Sequence, residues 1–149
     1  VKKQGGFSFL FEEEAKARGL ELTYTSPKNL PKVEGAEQFL SQAVNNMLSN
    51  ALKYTKNGSV TLKIYRSKSN VKVEVIDTGI GVPEEDFSKL WQKFSRAKNA
   101  RSMYTDGSGL GLFIIKRIIE GHRGGQVYFK SSLNSGSTFG FSLPILKKR

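Results

Sequence analysis

The sequence predicts an α/β fold, a two-layer sandwich in which a mixed, mostly antiparallel sheet is covered on one face by helices. Three observations carry the prediction. Apolar residues recur with a 3.6-residue period at Leu40, Val44, Met47, Leu48 and Ala51. Val60, Leu62 and Ile64, and again Val71, Val73 and Val75, alternate with polar neighbours at period two. The 149 residues suffice for one hydrophobic core and not for two, so residues 1–149 read as a single domain.

In chain order, Phe7 to Arg18 reads as a first helix stopped by Gly19, and Leu20 to Thr25 as a strand. Pro27 to Pro31 marks a turn, and Ala36 to Tyr54 is the long amphipathic helix, ended by Asn57 and Gly58. The two alternating strands follow, joined into a hairpin by the short link Arg66 to Asn70. Gly79, Gly81 and Pro83 punctuate the chain before a short helix from Glu84 to Lys93. Ser95 to Gly107 is polar, basic and aperiodic, as a loop would be. Leu110 to Glu120 forms an apolar helix closed by Gly121. Val127 to Ser132 and Thr138 to Leu143 are strands joined at Asn134, Ser135 and Gly136.

With no cysteine in the chain, disulfides and thiolate metal cages are excluded, and a reducing, cytoplasmic setting fits. No apolar run reaches the roughly 20 residues that span a bilayer, so no direct membrane contact is expected of this domain, although a parent protein can still be membrane-anchored. The net charge of +11 favours a polyanionic ligand. The basic residues are scattered, with a small cluster at Lys147, Lys148 and Arg149 that reads as a solvated tail, and form no recognition module for nucleic acid, which is not expected as a partner.

Three groups of residues carry chemistry. Asp77 ends its strand on the same side as Val71, Val73 and Val75, so a carboxylate faces the core, where it needs a hydrogen-bond partner. Gly79 and Gly81 leave room for a ligand to approach, and a purine amino group would supply the donor. An Asp capping its own turn is the bland reading of the same residues. The run Gly107, Ser108, Gly109, Leu110, Gly111 and Leu112 opens directly into a helix, whose first N–H groups attract phosphate. It lacks the Lys-Ser or Lys-Thr of a P-loop. In NNMLSNALKYT, Asn45 to Thr55, the residues Gln42, Asn46, Asn50 and Lys53 share a sector of about 80° beside the apolar stripe. Asn is a mediocre helix former, so this cluster asks for a reason beyond propensity. The Asn50 amide oxygen suits Mg²⁺, and Lys53 can answer phosphate charge.

Together these residues resemble the catalytic, ATP-binding domain of sensor histidine kinases, in the superfamily that also holds the DNA gyrase B subunit and MutL. The N box resembles Asn46 to Thr55, the first glycine box Asp77 to Gly81, the F box Phe94 in LWQKFSRA, and the last glycine box Gly107 to Leu112. HRGGQVYFKSSLNSGSTFGFSLP is similar to the family's closing hairpin. The resemblance covers nearly the whole chain and implies a Bergerat-type fold, with ATP and Mg²⁺ as cofactors. It implies that Asp77 accepts from the adenine amino group, with Gly79 and Gly81 beside it. Asn50 would bind Mg²⁺, and Asn46, Lys53 and Tyr54 would touch phosphate or flank the base. Phe94 would pack down a lid from Val82 to Gly107, with Arg96 or Lys98 reaching phosphate. Gly107, Gly109, Leu110 and Gly111 would pass backbone close to the phosphates, and Thr138 would support adenine through its hydroxyl.

The implied activity is that of a histidine protein kinase, with Asn46, Lys53 and Arg96 nearest the transferring group. The acceptor histidine would lie on a dimerisation hairpin outside this fragment, and a response regulator would receive the phosphoryl group. Asn46 stands where gyrase-type ATPases carry a glutamate base, and an amide cannot activate water. An ATPase of that type and a catalytically silent docking module are the rival readings. Ala36 and Phe39 depart from the Asp and Arg usual in the family, and Phe113 from a small residue. His122, the single histidine, follows the last long helix beside Arg123, where positive charge suits the helix end.

Overall fold

The structure is a computed structural model describing residues 9–91 and 111–146. Helix α1 (Phe9–Ala17) and strand β1 (Glu21–Thr25) precede the long helix α2 (Glu37–Lys53). Strands β2 (Ser59–Ser67) and β3 (Asn70–Asp77) form the hairpin, turning at Lys68 with φ 56°. The short helix expected from Glu84 is a 3₁₀ helix, Glu84–Lys89. Helix α3 (Gly111–Glu120) and strands β4 (Gln126–Ser132) and β5 (Gly136–Pro144) complete the described chain. The loop expected from Ser95 to Gly107 lies outside the described residues.

The five strands run in the order β1-β2-β3-β5-β4. Only β1 and β2 pair in parallel, because α2 carries the chain back across the sheet between them; the other three pairings are antiparallel. The helices cover one face. There Val60, Leu62 and Ile64 of β2, Val71, Val73 and Val75 of β3, and Phe141 and Leu143 of β5 are buried. They pack with Leu40, Val44, Met47, Leu48, Ala51 and Leu52 of α2, and with Ile115 and Ile119 of α3. Apart from Ala51, each such side chain contributes about 1.5–3 kcal/mol, which outweighs the few tenths of a kcal/mol that each asparagine costs α2 in propensity.

On the open face, Gly140 leaves room for the Tyr128 ring to lie across β5, since a Cβ there would meet the ring at 2.7 Å. The Tyr128 and Tyr65 hydroxyls both donate to Oε2 of Glu74. Burial, and then the Glu74 carboxylate, push both phenols up from their ordinary range.

Both ends of α2 are satisfied from outside the helix. At the C-terminus the Tyr54 N–H donates to the Asn50 carbonyl at 3.0 Å, and the buried Thr55 hydroxyl to that of Ala51 at 2.7 Å. At the N-terminus Ala36 has no capping side chain. Its N–H donates instead to His122 Nε2 at 3.1 Å. His122 Nδ1 lies 2.8 Å from the Ile118 carbonyl, an acceptor only, so Nδ1 is the donor and Nε2 the acceptor. The expected structural role of His122 holds. The means differs, because the neutral ring ties the end of α3 to the start of α2 by hydrogen bonds, with no positive charge involved.

Candidate functional site

Three segments meet at one end of the sheet: the loop Asp77–Gly81, the C-terminus of α2, and the turn between β4 and β5. The Ile80 N–H donates to the Tyr54 carbonyl at 3.2 Å, and the Asn134 N–H to the Ile80 carbonyl at 2.7 Å. The Val82 N–H reaches Ser131 Oγ at 2.7 Å. Ser131 Oγ donates to the Gly136 carbonyl at 3.2 Å and lies 2.8 Å from Ser137 Oγ. A hydroxyl has one proton, so Ser137 is the donor of that last pair and its own lone pairs stay available.

Asp77 sits at the centre, buried as its strand position predicts, at 8% exposure. Its Oδ1 accepts from the Gly79 N–H at 2.9 Å and the Ser137 N–H at 3.2 Å. The first of these bonds is the turn cap that the sequence allows as a bland reading. It uses one oxygen, and Oδ2 has no hydrogen-bond partner among the described residues. Burial pushes the carboxyl up to about 6, against the opposing pull of the two N–H donors. A buried, half-satisfied carboxylate is costly unless a ligand donates to it.

Gly79 has no room for a Cβ, which would strike the Tyr54 carbonyl and come within 2.8 Å of Thr55 Oγ1 and 2.9 Å of Asp77 Oδ1. Gly81, at φ 69°, lies against the Ser132 carbonyl. These two glycines let the loop sit between helix and turn while holding Asp77 in place.

The polar edge of α2 leads to the same end. Asn46, Asn50 and Lys53 are half-buried and Gln42 is exposed. The Asn46 and Asn50 amides have no hydrogen-bond partner among the described residues. Lys53 Nζ stands 5.9 Å from the centre of the Tyr54 ring.

A second apolar cluster around Val82 and Leu90 gathers Tyr54, Ile80, Phe87, Trp91, Phe129 and Phe139, with Leu112 from the first turn of α3. Phe87 meets Phe129 edge-on at 4.9 Å. Leu112 thereby brings the start of α3, at Gly111, to the end of the sheet where Asp77 lies. Among the described residues, no group of three or more His, Cys, Asp or Glu can hold a metal ion.

The structure therefore brings together Asp77, Gly79, Gly81, Asn50, Lys53, Tyr54 and the Gly111 turn, with Asn46 one turn back on α2. Phe94, Arg96, Lys98, Gly107, Gly109 and Leu110 lie outside the described residues. Thr138 is corrected. It pairs with Ile76, while Ser137 pairs with Asp77. Directly paired residues share a face and neighbours alternate, so the Thr138 side chain lies on the face opposite Asp77. Ser137 is the hydroxyl residue on the site's side, and its N–H already holds Asp77. The alternation of Phe139 and Phe141 onto the core face carries that assignment in the sequence, because Ser137 belongs to the same series.

Comparison with known proteins places these features. The family pattern described as histidine kinase-, DNA gyrase B- and HSP90-like ATPase matches residues 35–147. The chain is 35% identical over 140 residues to the adaptive-response sensory kinase SasA of a Synechocystis species, covering 93% of this chain and 36% of SasA. Full-length ShkA, solved in complex with AMPPNP, superposes with a TM-score of 0.78 at 30% identity, over 93% of this chain and 28% of ShkA. Histidine kinase ThkA, solved in complex with the response regulator TrrA, does so with a TM-score of 0.73 at 26% identity, over 92% of this chain and 37% of that one. The chain thus spans about a third of the length of SasA. With the ATPase pattern matched from before α2 to the end of β5, and the Asp77 loop, the asparagine edge of α2 and the glycine start of α3 at one end of the sheet, the chain belongs to the histidine kinase-, gyrase B- and HSP90-like ATPases and is similar to the catalytic, ATP-binding part of histidine kinases.

Proposed function

We propose that this domain binds ATP together with Mg²⁺ and donates the γ-phosphoryl group to a histidine on a dimerisation hairpin outside residues 1–149, from which a response regulator is then phosphorylated. The observation that carries the reading is the Asp77 carboxylate, buried, held through Oδ1 and without a partner at Oδ2 among the described residues. The adenine amino group is the donor that this oxygen lacks, whereas a guanine carbonyl there would repel it. ShkA, solved with AMPPNP, and ThkA, solved with a response regulator, support the nucleotide and the partner.

The Asn50 amide, without a partner among the described residues, fits a magnesium ion that arrives with the nucleotide, since those residues offer no carboxylate cluster to hold the ion alone. Bound there, Mg²⁺ would neutralise charge on the phosphate oxygens. Lys53 adds positive charge on the same edge. Arg96 and Lys98 stay proposed phosphate contacts, Phe94 a proposed lid anchor, and Gly107, Gly109, Leu110 and Gly111 a proposed phosphate cradle. Transfer itself needs positioning and charge more than covalent help. The P–O bond to ADP breaks as a P–N bond forms to the acceptor imidazole. His122 cannot be that acceptor in this fold, because both its ring nitrogens are engaged. Asn46 supplies no base for water, so hydrolysis should be slow.

Joining the domain to a histidine-bearing hairpin and supplying γ-labelled ATP should give acid-labile, base-stable label on the hairpin. Rapid release of phosphate without that label would instead mean an ATPase. Asn50→Ala should weaken magnesium-dependent ATP binding by roughly 10- to 100-fold, the loss of one contact worth about 1.5–3 kcal/mol, and leave magnesium-free binding nearly unchanged. Calorimetry with and without EDTA tests this; equal losses in both conditions would exclude Asn50 as the metal contact.

A further inference from the structure

At the opposite end of α2 from Asp77, a cavity of ≈ 1120 Å³ opens between the start of α2, the end of α3 and the end of β5. It is lined by the small residues Gly35, Ala36 and Gly121 and by the side chains of Phe39, Leu146, Arg117 and Arg123. Phe39 is 55% exposed and Leu146 51%, and both rank among the large apolar side chains left open to solvent. Neither arginine makes an ion pair among the described residues; Arg117 only lies over the Phe113 ring at 6.0 Å. Glu34 is the single acid in the lining.

Two positions here are those where the sequence departs from its family. Ala36 leaves α2 without its own cap, and His122, which also lines the cavity, accepts the Ala36 N–H instead. Phe39 puts an apolar ring where the family usually has arginine.

We propose that this groove docks an amphipathic helical segment of a partner protein, with an apolar side chain seated between Phe39 and Leu146 and flanking carboxylates meeting Arg117 and Arg123. The charge balance of the lining selects an acidic partner, and the +11 net charge of the chain steers it there. Small lining residues leave space for a protruding side chain, as in helix-in-groove recognition. A flat bilayer would not enter a recess. Helix α2 has 17 residues, so the groove lies about 25 Å from the Lys53 end. The docked helix and the nucleotide can be bound at once.

The test is fluorescence anisotropy with a labelled amphipathic peptide of about four helical turns, bearing Leu and Phe on one face and Glu on its flanks, beside a matched peptide with Lys for Glu. The acidic peptide should bind saturably, weaken as salt rises, and lose tenfold or more in affinity for Phe39→Glu and for Arg117→Glu, while ATP binding stays unchanged. Both positions are exposed, so neither variant should unfold; melting curves check this. Failure of the acidic peptide to bind, equal binding of both peptides, or binding untouched by either variant would overturn the proposal. So would binding to phosphatidylglycerol vesicles in place of the peptide.

Discussion

Replacing Asp77 by asparagine should cost ATP affinity a hundredfold or more and, in the same molecule, stabilise the nucleotide-free domain at neutral pH. The oxygen that already accepts from Gly79 and Ser137 is retained by the amide, so the loop keeps its shape. The second oxygen becomes an NH₂ group that meets the adenine amino group donor to donor. A hydrogen bond to a charged acceptor is worth about 1.5–3 kcal/mol, and leaving both donors unsatisfied adds to the loss, which reaches a hundredfold at about 2.8 kcal/mol.

The stability change has the opposite sign. Burial raises the Asp77 carboxyl from 3.8 to about 6. In the folded state it therefore holds a proton that the unfolded chain has already given up between about pH 4 and 6. Stability falls as pH rises through that window and the penalty is complete above it, on the order of 3 kcal/mol at 1.36 kcal/mol per unit. Asparagine escapes this charging cost but buries an amide that lacks a partner, so a net gain of about 1–2 kcal/mol is expected at pH 8. Melting curves should show the variant roughly 3 °C or more above the parent at pH 8, with the difference shrinking towards pH 4. ATP affinity of the parent should also weaken as pH falls through 6, because the protonated carboxyl no longer accepts at both oxygens. Retention of ATP affinity within a few-fold, or a lower melting point at pH 8, would remove Asp77 from the site.

The same residue shows why some of the site is legible in the sequence and some is not. Asp77 continues the series Val71, Val73 and Val75, and burial of that face follows from period alone. The stripe of α2 was readable for the same reason, since Leu40, Val44, Met47, Leu48 and Ala51 are all buried. Periodicity reports which face a residue occupies and says nothing of which strand lies beside it. The parallel pairing of β1 with β2 was therefore invisible. The resemblance implies Thr138 by its hydroxyl, whereas the alternation of its own strand, visible in Phe139 and Phe141, points to Ser137. His122 was readable at its near end, where it meets a carbonyl four residues back. Its other bond reaches Ala36, 86 residues away, a distance no local pattern spans.

Gly81→Ala should destabilise the domain by more than about 3 kcal/mol, whereas Gly19→Ala should cost only about 1–2 kcal/mol. The two glycines have nearly the same backbone, φ 69° at Gly81 and φ 70° at Gly19, so the left-handed strain of an L-residue is common to both. Their surroundings differ. A Cβ at Gly19 meets nothing within 4 Å, while one at Gly81 drives into the Ser132 carbonyl and lies 3.1 Å from the Leu133 Cα. Those are backbone atoms of the turn between β4 and β5, and that turn is itself held by the Asn134 N–H on the Ile80 carbonyl and by Ser131 on the Val82 N–H. The obstacle cannot yield without breaking the bonds that align Ser137 with Asp77. Chemical denaturation should put Gly81→Ala far below Gly19→Ala, a gap of about 2 kcal/mol or more. Where Gly81→Ala still folds in the cold, its ATP affinity should drop as well, because the displaced turn carries the Ser137 N–H away from Oδ1. Equal costs for the two substitutions would mean that the turn and the loop move freely past one another, and the rigid seat argued for Asp77 would not exist.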